Sequence, residues 1–331
     1  PVVLELAVAT EPPTDPVVPP TQQPGSQIAA RRIQIRQYGI AVGPLLHLHE
    51  ERRRLAGLRW KHFTAQPLGA TVGGEISGLD LTRNLPEPVI AELRRALLDY
   101  KVLFFRDQPL TSAQQVAFAR RFGELEVHPF IPANPDEPTL VRFEKSAQVA
   151  GYENGWHTDV TWRECPSLGA VLRAVDLPPS GGDTLFADMY AAYEGLDDAT
   201  RTRLEGLTAE HDFVPTFGRT IPENLRDEMR RRYPVARHPV VRTHPETGRK
   251  LLFVNRFFTT RILDVSAEES HALLDRLTRQ ADIIEYQCRF HWTRHAVAFW
   301  DNRAVQHYAC SDYWPEVRVM ERASIIGDRP V

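Results

Sequence analysis

From Gly151 onward, short β-rich runs alternate with turns that contain proline and glycine. These runs are Ser167–Arg173, Asp183–Ala187, Pro239–Thr243, Lys250–Asn255, Ile283–Trp292, Ala296–Asp301 and Val317–Ile326. Helical patterns interrupt them near Tyr190–Leu207 and Ser266–Gln280. Many short strands with inserted helices are typical of a β-sandwich or jelly roll and not of a doubly wound sheet. The sequence therefore predicts a mainly β fold with inserted helices (α+β).

The first 59 residues differ in composition from the rest of the chain. Six prolines lie between Pro12 and Pro24, and arginine-rich clusters follow between Arg31 and Arg59. Proline at this density disrupts the interior of both helices and sheets. We therefore predict an N-terminal extension over residues 1–59, flexible or loosely docked. For Arg31 to Arg59 the alternatives are an ordered arm, a helix docked on the body, or translated upstream sequence. Residues 60–331 are predicted to form one compact domain.

Charge and cysteine content exclude several classes of protein. The net charge is -3 and the sequence pI is about 6.5, so no overall positive field attracts nucleic acid or an anionic membrane. Cys165, Cys288 and Cys310 form no CxxC pair, which fits a reducing compartment. No apolar run approaches the roughly 20 residues that span a bilayer, and the first residues do not resemble a signal peptide. We expect a cytoplasmic protein that binds neither nucleic acid nor membranes.

The segment around His157 and Asp159 is the sharpest local feature. A histidine and a carboxylate two residues apart on an extended segment point to the same side, so both can bind one metal ion. His307 is the best candidate for the third ligand of a 2-His-1-carboxylate set, which leaves positions open for a co-substrate and oxygen. Taken alone, a His-x-Asp pair is common and a single histidine is more often a surface or core residue.

A second constellation follows His307. Arg318, Met320 and Arg322 alternate with Val317, Val319 and Glu321, so both arginines face the same way on one strand. Two guanidinium groups turned into a barrel need anions, and arginine binds carboxylate, sulfonate, sulfate or phosphate in bidentate fashion. The alternative is that both arginines pair with surface acids. The turn at residues 180–184 places the hydroxyl of Thr184 where it could donate to an anion, although alone it indicates only a hairpin.

Together these features resemble the taurine dioxygenase family of iron(II)- and 2-oxoglutarate-dependent oxygenases. The segments that carry the resemblance are FGEL (122–125), HP (128–129), WHTDVT (156–161), GGDT (181–184), AYE (192–194), HPVVRTHP (238–245), FTTRI (258–262), WDNR (300–303), QHYA (306–309) and GDRP (327–330). They run in order over roughly four fifths of the chain, which is more specific than any single motif.

The resemblance implies a double-stranded β-helix (jelly-roll) core and a set of site residues. Iron(II) would be held by His157, Asp159 and His307, which are then the catalytic residues. The co-substrates would be 2-oxoglutarate, held through its distal carboxylate by Thr184 and Arg318, and oxygen. The acidic head of the primary substrate would face Arg322, His128 and the backbone N–H of Val160. Phe217 and Phe258 fall where the family lines its pocket with aromatic residues, although plain core packing is the alternative.

Two departures from the family bear on the substrate. Ile131 stands where taurine-specific members have a tyrosine, and Glu153 stands where they have an asparagine. Both positions contact the taurine amine in those members. A glutamate could still meet an ammonium group, so taurine is disfavoured and not excluded.

The resemblance implies hydroxylation of a C–H bond in a small anionic substrate, with succinate and carbon dioxide as co-products. A sulfonate or alkyl sulfate would then release sulfite or sulfate and an aldehyde. The nearest alternative is hydroxylation or desaturation of a specialised metabolite. A non-catalytic metal-binding jelly-roll protein and a metal-dependent hydrolase are alternatives of other classes. The family resemblance also implies a homo-oligomer, either a dimer or a tetramer.

Overall fold

The structure of the protein is a computed structural model. It describes residues 45–151, 153–219 and 221–331, and the backbone of Ile33–Ile35 (β1) and Ile40–Val42 (β2). β1 and β2 pair antiparallel within one unit, and residues 45–331 form a second compact unit. Most of the residues predicted to be flexible or loosely docked, 1–32, 36–39 and 43–44, lie outside the described residues.

The second unit contains both helices and strands. Its strands are β3 (Thr64–Pro67), β4 (Gly74–Ser77), β5 (Val102–Phe105), β6 (Leu140–Lys145), β7 (Ser167–Asp176), β8 (Thr184–Asp188), β9 (Thr208–His211), β10 (Ala236–Pro239), β11 (Val241–Thr243), β12 (Lys250–Leu252), β13 (Thr259–Ile262), β14 (Gln287–Phe290), β15 (Val297–Asp301), β16 (Val305–Ala309) and β17 (Arg318–Ile326). Its α-helices are α1 (Leu48–Gly57), α2 (Glu87–Tyr100), α3 (Ser112–Arg120), α4 (Met189–Glu194), α5 (Asp198–Leu204), α6 (Val214–Phe217), α7 (Arg226–Arg232) and α8 (Ala267–Thr278). None of the helices in the described ranges is long and apolar enough to cross a membrane.

Two sheets face each other across the centre of this unit. The larger has the strand order β3-β4-β5-β15-β7-β17-β6, and the smaller has the order β14-β8-β16. Neighbouring strands are antiparallel except β4 and β5. Apolar side chains from both sheets form one buried cluster, in which Phe104 of β5 stacks on Phe290 of β14 with ring centroids 4.1 Å apart. Burial of such aromatic surface holds the two sheets together.

β17 carries charged residues on both of its faces. Arg318, Met320 and Arg322 share the face that lines the space between the sheets. On the opposite face, Glu321 is 1 % exposed and accepts hydrogen bonds from Arg173 and Asn134. Side chains alternate along a strand, so a single period-two pattern places cations on one face and an anion on the other. Every one of these charges is therefore tied to the register of the strand.

The second compact unit begins at Leu45, before the predicted domain boundary at residue 60. The arginine-rich stretch before residue 60 forms α1, whose Leu55 is buried in the core beside α2. Glu51 of α1 accepts a hydrogen bond from Nζ of Lys101, which is fully buried, at 2.8 Å. The amphipathic pattern of α1 is hard to detect in the sequence, because only a few positions of the helix face the core and arginines occupy many of the others.

Two local expectations also differ from the structure. The helix predicted over Tyr190–Leu207 is divided into α4 and α5, because the side chain of Asp197 caps a new N-terminus by accepting from Thr200 N. The run that contains His307 forms strand β16, which the alternation of residues did not indicate. The remaining long features, among them α2, α8 and β17, lie close to where the sequence predicted them.

Candidate active site

The structure brings His157, Asp159 and His307 together. His157 lies in the segment before Asp159 and forms an antiparallel bridge with His307 of β16, through N···O contacts of 3.1 and 2.8 Å. All three side chains are buried, and one ligand atom from each lies within 4.8 Å of the others. Among the described residues, this is the only such group of three or more metal-binding side chains.

Hydrogen bonds define which nitrogen of His157 faces the other two residues. Its Nδ1 lies 2.7 Å from Gly155 O, and because a carbonyl only accepts, Nδ1 carries the proton. Nε2 is therefore unprotonated and lies 3.9 Å from Asp159 Oδ1. Nε2 of His307 lies 3.8 Å from the same oxygen. Burial lowers the pKa of His157 and lowers that of His307 to about 3, so both imidazoles are neutral at pH 7, as metal ligands must be.

Asp159 is held by its backbone and by its carboxylate. Its N–H donates to Asn302 Oδ1 at 2.9 Å, and Asn302 Nδ2 donates back to Asp159 O. The next residue, Val160, has a φ of 47°, a conformation that a β-branched residue rarely adopts. This strain is typical of backbone that is fixed for a functional purpose.

Arg322 binds the carboxylate of Asp159. Its Nη1 lies 2.8 Å from both Oδ1 and Oδ2. Burial alone would raise the pKa of Asp159, but Arg322 and the neighbouring histidines lower it to about 2. The carboxylate is therefore ionised over the whole physiological range. Arg322 Nε has no hydrogen-bond partner in the described residues, so this arginine retains a donor for another anion.

Arg318 is a buried cation that forms no ion pair with a carboxylate among the described residues. It is 6 % exposed, its Nε donates to Gly182 O at 3.1 Å, and its Nη2 has no partner in the described part of the chain. Burial lowers the pKa of Arg318. A Cβ on Gly182, whose φ is +71°, would lie 3.0 Å from Arg318 Cδ and Nε, so glycine is needed for this close approach. An unpaired buried guanidinium fits an anionic ligand.

Thr184 begins β8, two residues after Gly182, whose carbonyl accepts a hydrogen bond from Arg318. Its Oγ1 accepts a hydrogen bond from Trp292 Nε1 at 2.9 Å, which leaves the hydroxyl hydrogen available to donate. Thr184 and Arg318 both line the central cavity. The two residues could therefore share the oxygens of one carboxylate.

All twelve of the predicted site residues line one cavity of about 950 Å³, which includes its open mouth. They are His128, Ile131, Glu153, His157, Asp159, Val160, Thr184, Phe217, Phe258, His307, Arg318 and Arg322. Phe217 and Phe258 also belong to a buried aromatic cluster, so core packing and cavity lining coexist at these positions. The cavity thus joins a candidate metal centre, two arginines and an apolar wall.

His128 is oriented so that it can donate into this cavity. Its Nδ1 accepts hydrogen bonds from the N–H groups of Phe130 and Ile131, both at 3.1 Å. Burial lowers the pKa of His128 to about 3, so the ring is neutral and its proton is on Nε2. A neutral imidazole N–H is a suitable donor to an anionic head group.

Comparison with known proteins identifies the family. The model of the "Taurine catabolism dioxygenase TauD, TfdA family" matches residues 64–324. The chain belongs to the TauD/TfdA family of dioxygenases. An alkylsulfatase of Acinetobacter baylyi is 35% identical over 270 residues, which cover 79% of this chain and 84% of that protein. An (S)-phenoxypropionate/alpha-ketoglutarate-dioxygenase of Sphingobium herbicidovorans is 34% identical over 287 residues, which cover 80% and 96%.

Solved structures agree with this assignment. The crystal structure of a taurine dioxygenase from Burkholderia xenovorans superposes with a TM-score of 0.72 and 38% identity. The match covers 82% of this chain and 91% of the other. The protein is thus a dioxygenase of the TauD/TfdA family with the mixed helix and strand content expected for it.

The structure adds cavity residues that the sequence did not indicate. Lys145 and Phe143 enter from β6, and Phe257 stacks on His157 with ring centroids 4.6 Å apart. Lys145 Nζ lies 2.8 Å from Glu153 Oε1. β6 was not predicted, so the sequence offered no register that would have placed Lys145 beside Arg318.

Two histidines that the sequence left without a role support the turn after Asp159. Nδ1 of His211 lies 2.9 Å from Thr161 Oγ1, and Nε2 of His238 donates to Thr161 O at 2.8 Å. Both rings are buried. This TauD/TfdA protein therefore fixes the backbone behind its candidate metal centre with buried polar contacts.

Proposed function

We propose that the protein hydroxylates a C–H bond of a small sulfonate or alkyl sulfate in a reaction that depends on iron(II) and 2-oxoglutarate. The products would be succinate, carbon dioxide, an aldehyde and sulfite or sulfate. The observation that carries the proposal is Arg318, a buried cation that pairs with no carboxylate in the described part of the chain. It lines the same cavity as the His157, Asp159 and His307 cluster. A scaffold protein has no need of such a residue, because an unpaired buried charge destabilises the fold.

The proposed core is a double-stranded β-helix. The facing sheets β14-β8-β16 and β3-β4-β5-β15-β7-β17-β6 support it, because they share an apolar cluster and both contribute residues to the cavity. β16 brings His307 to this cavity and β17 brings both arginines. A rigid strand framework of this kind holds ligands more precisely than loops do.

His157, Asp159 and His307 fit iron(II), since two neutral imidazoles and one carboxylate are the donor set of non-haem iron oxygenases. Bound iron would couple the activation of oxygen to the decarboxylation of 2-oxoglutarate and to oxidation of the substrate. Arg318 and Thr184 would bind the distal carboxylate of 2-oxoglutarate. Asn302 would keep Asp159 in place through its two backbone contacts.

The substrate would be held by its anionic head. His128 would donate from Nε2, Arg322 from Nε, and Val160 from its backbone N–H. Arg322 can do so while it keeps Asp159, because different nitrogens are used. Three convergent donors would fix the substrate carbon relative to the metal, which is the main contribution that a protein makes to such a reaction.

The remaining wall would exclude water and receive the rest of the substrate. Phe217, Phe258 and Ile131 are apolar and line the cavity, and Phe257 covers His157. Such a wall favours an alkyl or aryl group over a polar one. Glu153 occupies the position that would contact a substrate amine, but its carboxylate is already paired with Lys145. Taurine itself is therefore a poorer candidate than an alkyl sulfonate or sulfate.

A carboxylate substrate is the second candidate. The relative from Sphingobium herbicidovorans is named for phenoxypropionate, and arginine binds carboxylate as readily as sulfate. A specialised metabolite with an anionic head, which the enzyme would hydroxylate or desaturate, is a further alternative. We further propose a homo-oligomer, which light scattering of the purified protein would test.

Succinate formation tests the proposed function. The purified protein, with iron(II), 2-oxoglutarate and ascorbate in air, is expected to form succinate when alkyl sulfates or alkylsulfonates are added. His157→Ala should abolish this stimulation. Arg318→Met should reduce it at low 2-oxoglutarate and recover partly at high 2-oxoglutarate, because only co-substrate binding is impaired.

A second measurement separates failure of the reaction from failure of the site. Iron(II) and 2-oxoglutarate are added without oxygen, and the absorption band of their complex is recorded. If this band does not form, the proposed site is wrong. If the band forms but aryloxyalkanoates stimulate succinate and sulfates do not, the carboxylate candidate replaces the sulfate one.

A further inference from the structure

The cavity wall formed by β6 and β17 carries three cations. Lys145 of β6 lies directly opposite Arg318 of β17 in the antiparallel register, and opposed residues point to the same face. Lys145 therefore projects into the cavity with both arginines and is 9 % exposed. The proposed ligands, 2-oxoglutarate and one anionic head group, occupy Arg318 and Arg322. Lys145 is the additional cation.

Glu153 neutralises Lys145. The Nζ to Oε1 distance is 2.8 Å, and both side chains line the cavity. Glu153 lies in the segment that leads to His157, and its backbone oxygen accepts from the N–H of Ala309 at 3.3 Å. Glu153 is thus anchored to the same two elements that carry the histidine ligands, and Lys145 is held by β6.

The charges of the cavity determine what it can accept. With iron(II) and doubly charged 2-oxoglutarate bound, the five charged side chains of the cavity leave one positive charge. One anionic head group neutralises that charge. Any further charge on the substrate would be buried against an ion pair that is already satisfied, which is unfavourable in a desolvated site.

We propose that Lys145 is a specificity-determining residue: by neutralising Glu153, it makes the cavity select substrates with one anionic head and an uncharged tail. An ammonium group on the tail finds no free carboxylate, and a second anion finds no free cation. This inference rests on the proposed function, since it assumes that the anionic head binds at Arg322.

Binding without turnover tests the inference. Three probes share a sulfonate head and differ in the tail: propanesulfonate, 3-aminopropanesulfonate and 3-sulfopropanoate. Calorimetry without oxygen measures their dissociation constants for the full chain loaded with iron(II) and 2-oxoglutarate. The proteins are the wild type, Lys145→Met, Glu153→Gln and the double variant. Methionine keeps the apolar stem of lysine, and the double variant is an uncharged pair.

The expected result is that the two single variants gain affinity for different probes. The wild type and the double variant bind propanesulfonate most tightly. Lys145→Met gains about tenfold or more for the ammonium probe relative to propanesulfonate, and Glu153→Gln gains similarly for the carboxylate probe. The double variant separates charge from packing, because it repeats both substitutions without an unpaired charge. Thermal melting of each variant confirms that it is folded.

The inference is overturned if neither single variant changes the order of the three probes, or if no probe binds to any of the four proteins. Succinate formation in air distinguishes this from the proposed function. The predicted binding order without succinate would refute the reaction and leave the role of Lys145 intact. Succinate formation with an unchanged binding order would support the reaction and refute the role of Lys145.

Discussion

Arg318 and Arg322 lie on the same face of one strand, yet their removal should change stability in opposite directions. We consider Arg318→Met and Arg322→Met in protein free of metal and 2-oxoglutarate at pH 7. Both variants keep a similar apolar stem at a buried position of β17. The loss of packing is therefore similar in the two variants and largely cancels when they are compared.

Arg318→Met removes a charge that the fold does not compensate. Burial lowers the pKa of Arg318, so its charged form is less favourable in the folded state than in the unfolded state. Relief of this burial exceeds the loss of one hydrogen bond to Gly182 O, and the free energy of unfolding should rise by about 1 kcal/mol.

Arg322→Met leaves the carboxylate of Asp159 buried without its main partner. The pKa of Asp159 is about 2 in the folded protein against an ordinary value of 3.8. A lowered carboxyl pKa contributes stability that is fully present above the ordinary value and is lost as the pH falls through 2. That contribution is about 2 kcal/mol at pH 7, and removal of Arg322 should cost about 2–4 kcal/mol.

Urea denaturation of both variants, with calorimetry of 2-oxoglutarate binding to the iron-loaded proteins, checks the prediction. Arg318→Met should bind 2-oxoglutarate more weakly by about 2–5 kcal/mol, or roughly 30-fold to several thousand-fold. The reasoning is refuted if both variants are destabilised alike, because Arg318 would then have a structural partner. Unchanged 2-oxoglutarate affinity in Arg318→Met would refute its proposed role.

Three further outcomes are expected. His128→Asn keeps an acceptor for the turn but removes a ring whose pKa is lowered to about 3. Because of this lowered pKa, the wild type loses free energy of unfolding as the pH falls below 6.5. In urea titrations the variant should lose about 2 kcal/mol less than the wild type between pH 7 and 5. Deletion of residues 1–59 should lower the free energy of unfolding by about 2 kcal/mol or more relative to deletion of residues 1–44. The reason is that the buried Lys101 loses its partner Glu51 in α1. Equal melting temperatures of the two deletion variants would contradict this. Gly182→Ala should weaken 2-oxoglutarate binding measured by calorimetry, whereas Gly206→Ala, which has a similar φ of +73° but nothing within 4 Å, should change stability alone.

The sequence predicted those features that local pattern determines. α2 and β17 follow from their apolar periods, and ten ordered motifs identified the family. His157 and Asp159 could be placed near each other because two residues on an extended segment share a side. That His307 meets them depends on the pairing of β16 with β8, which connects residues far apart in the chain.

Features that depend on strand register could not be predicted. Lys145 faces Arg318 only because β6 pairs with β17, and β6 shows no distinctive alternation. The docking of α1 was predicted only as one of several alternatives, for a related reason. In α1, Leu55 contributes to the core while the arginines around it face solvent, so average composition indicated an extension instead of a docked helix.

The charged residues of β17 also have a consequence for folding fidelity. If β17 shifted by one residue against β6 and β7, every side chain would change faces. In the slip that places Arg322 at the position of Glu321, its guanidinium would meet Arg173, and Glu321 would enter the cavity that holds Asp159. Both changes would bring like charges together in a desolvated space, so this slipped state is a poor kinetic trap. The charged residues proposed to bind ligands thus also favour the correct register of β17. A β17 without these charges would lose both its anion-binding groups and its selection against a slipped register.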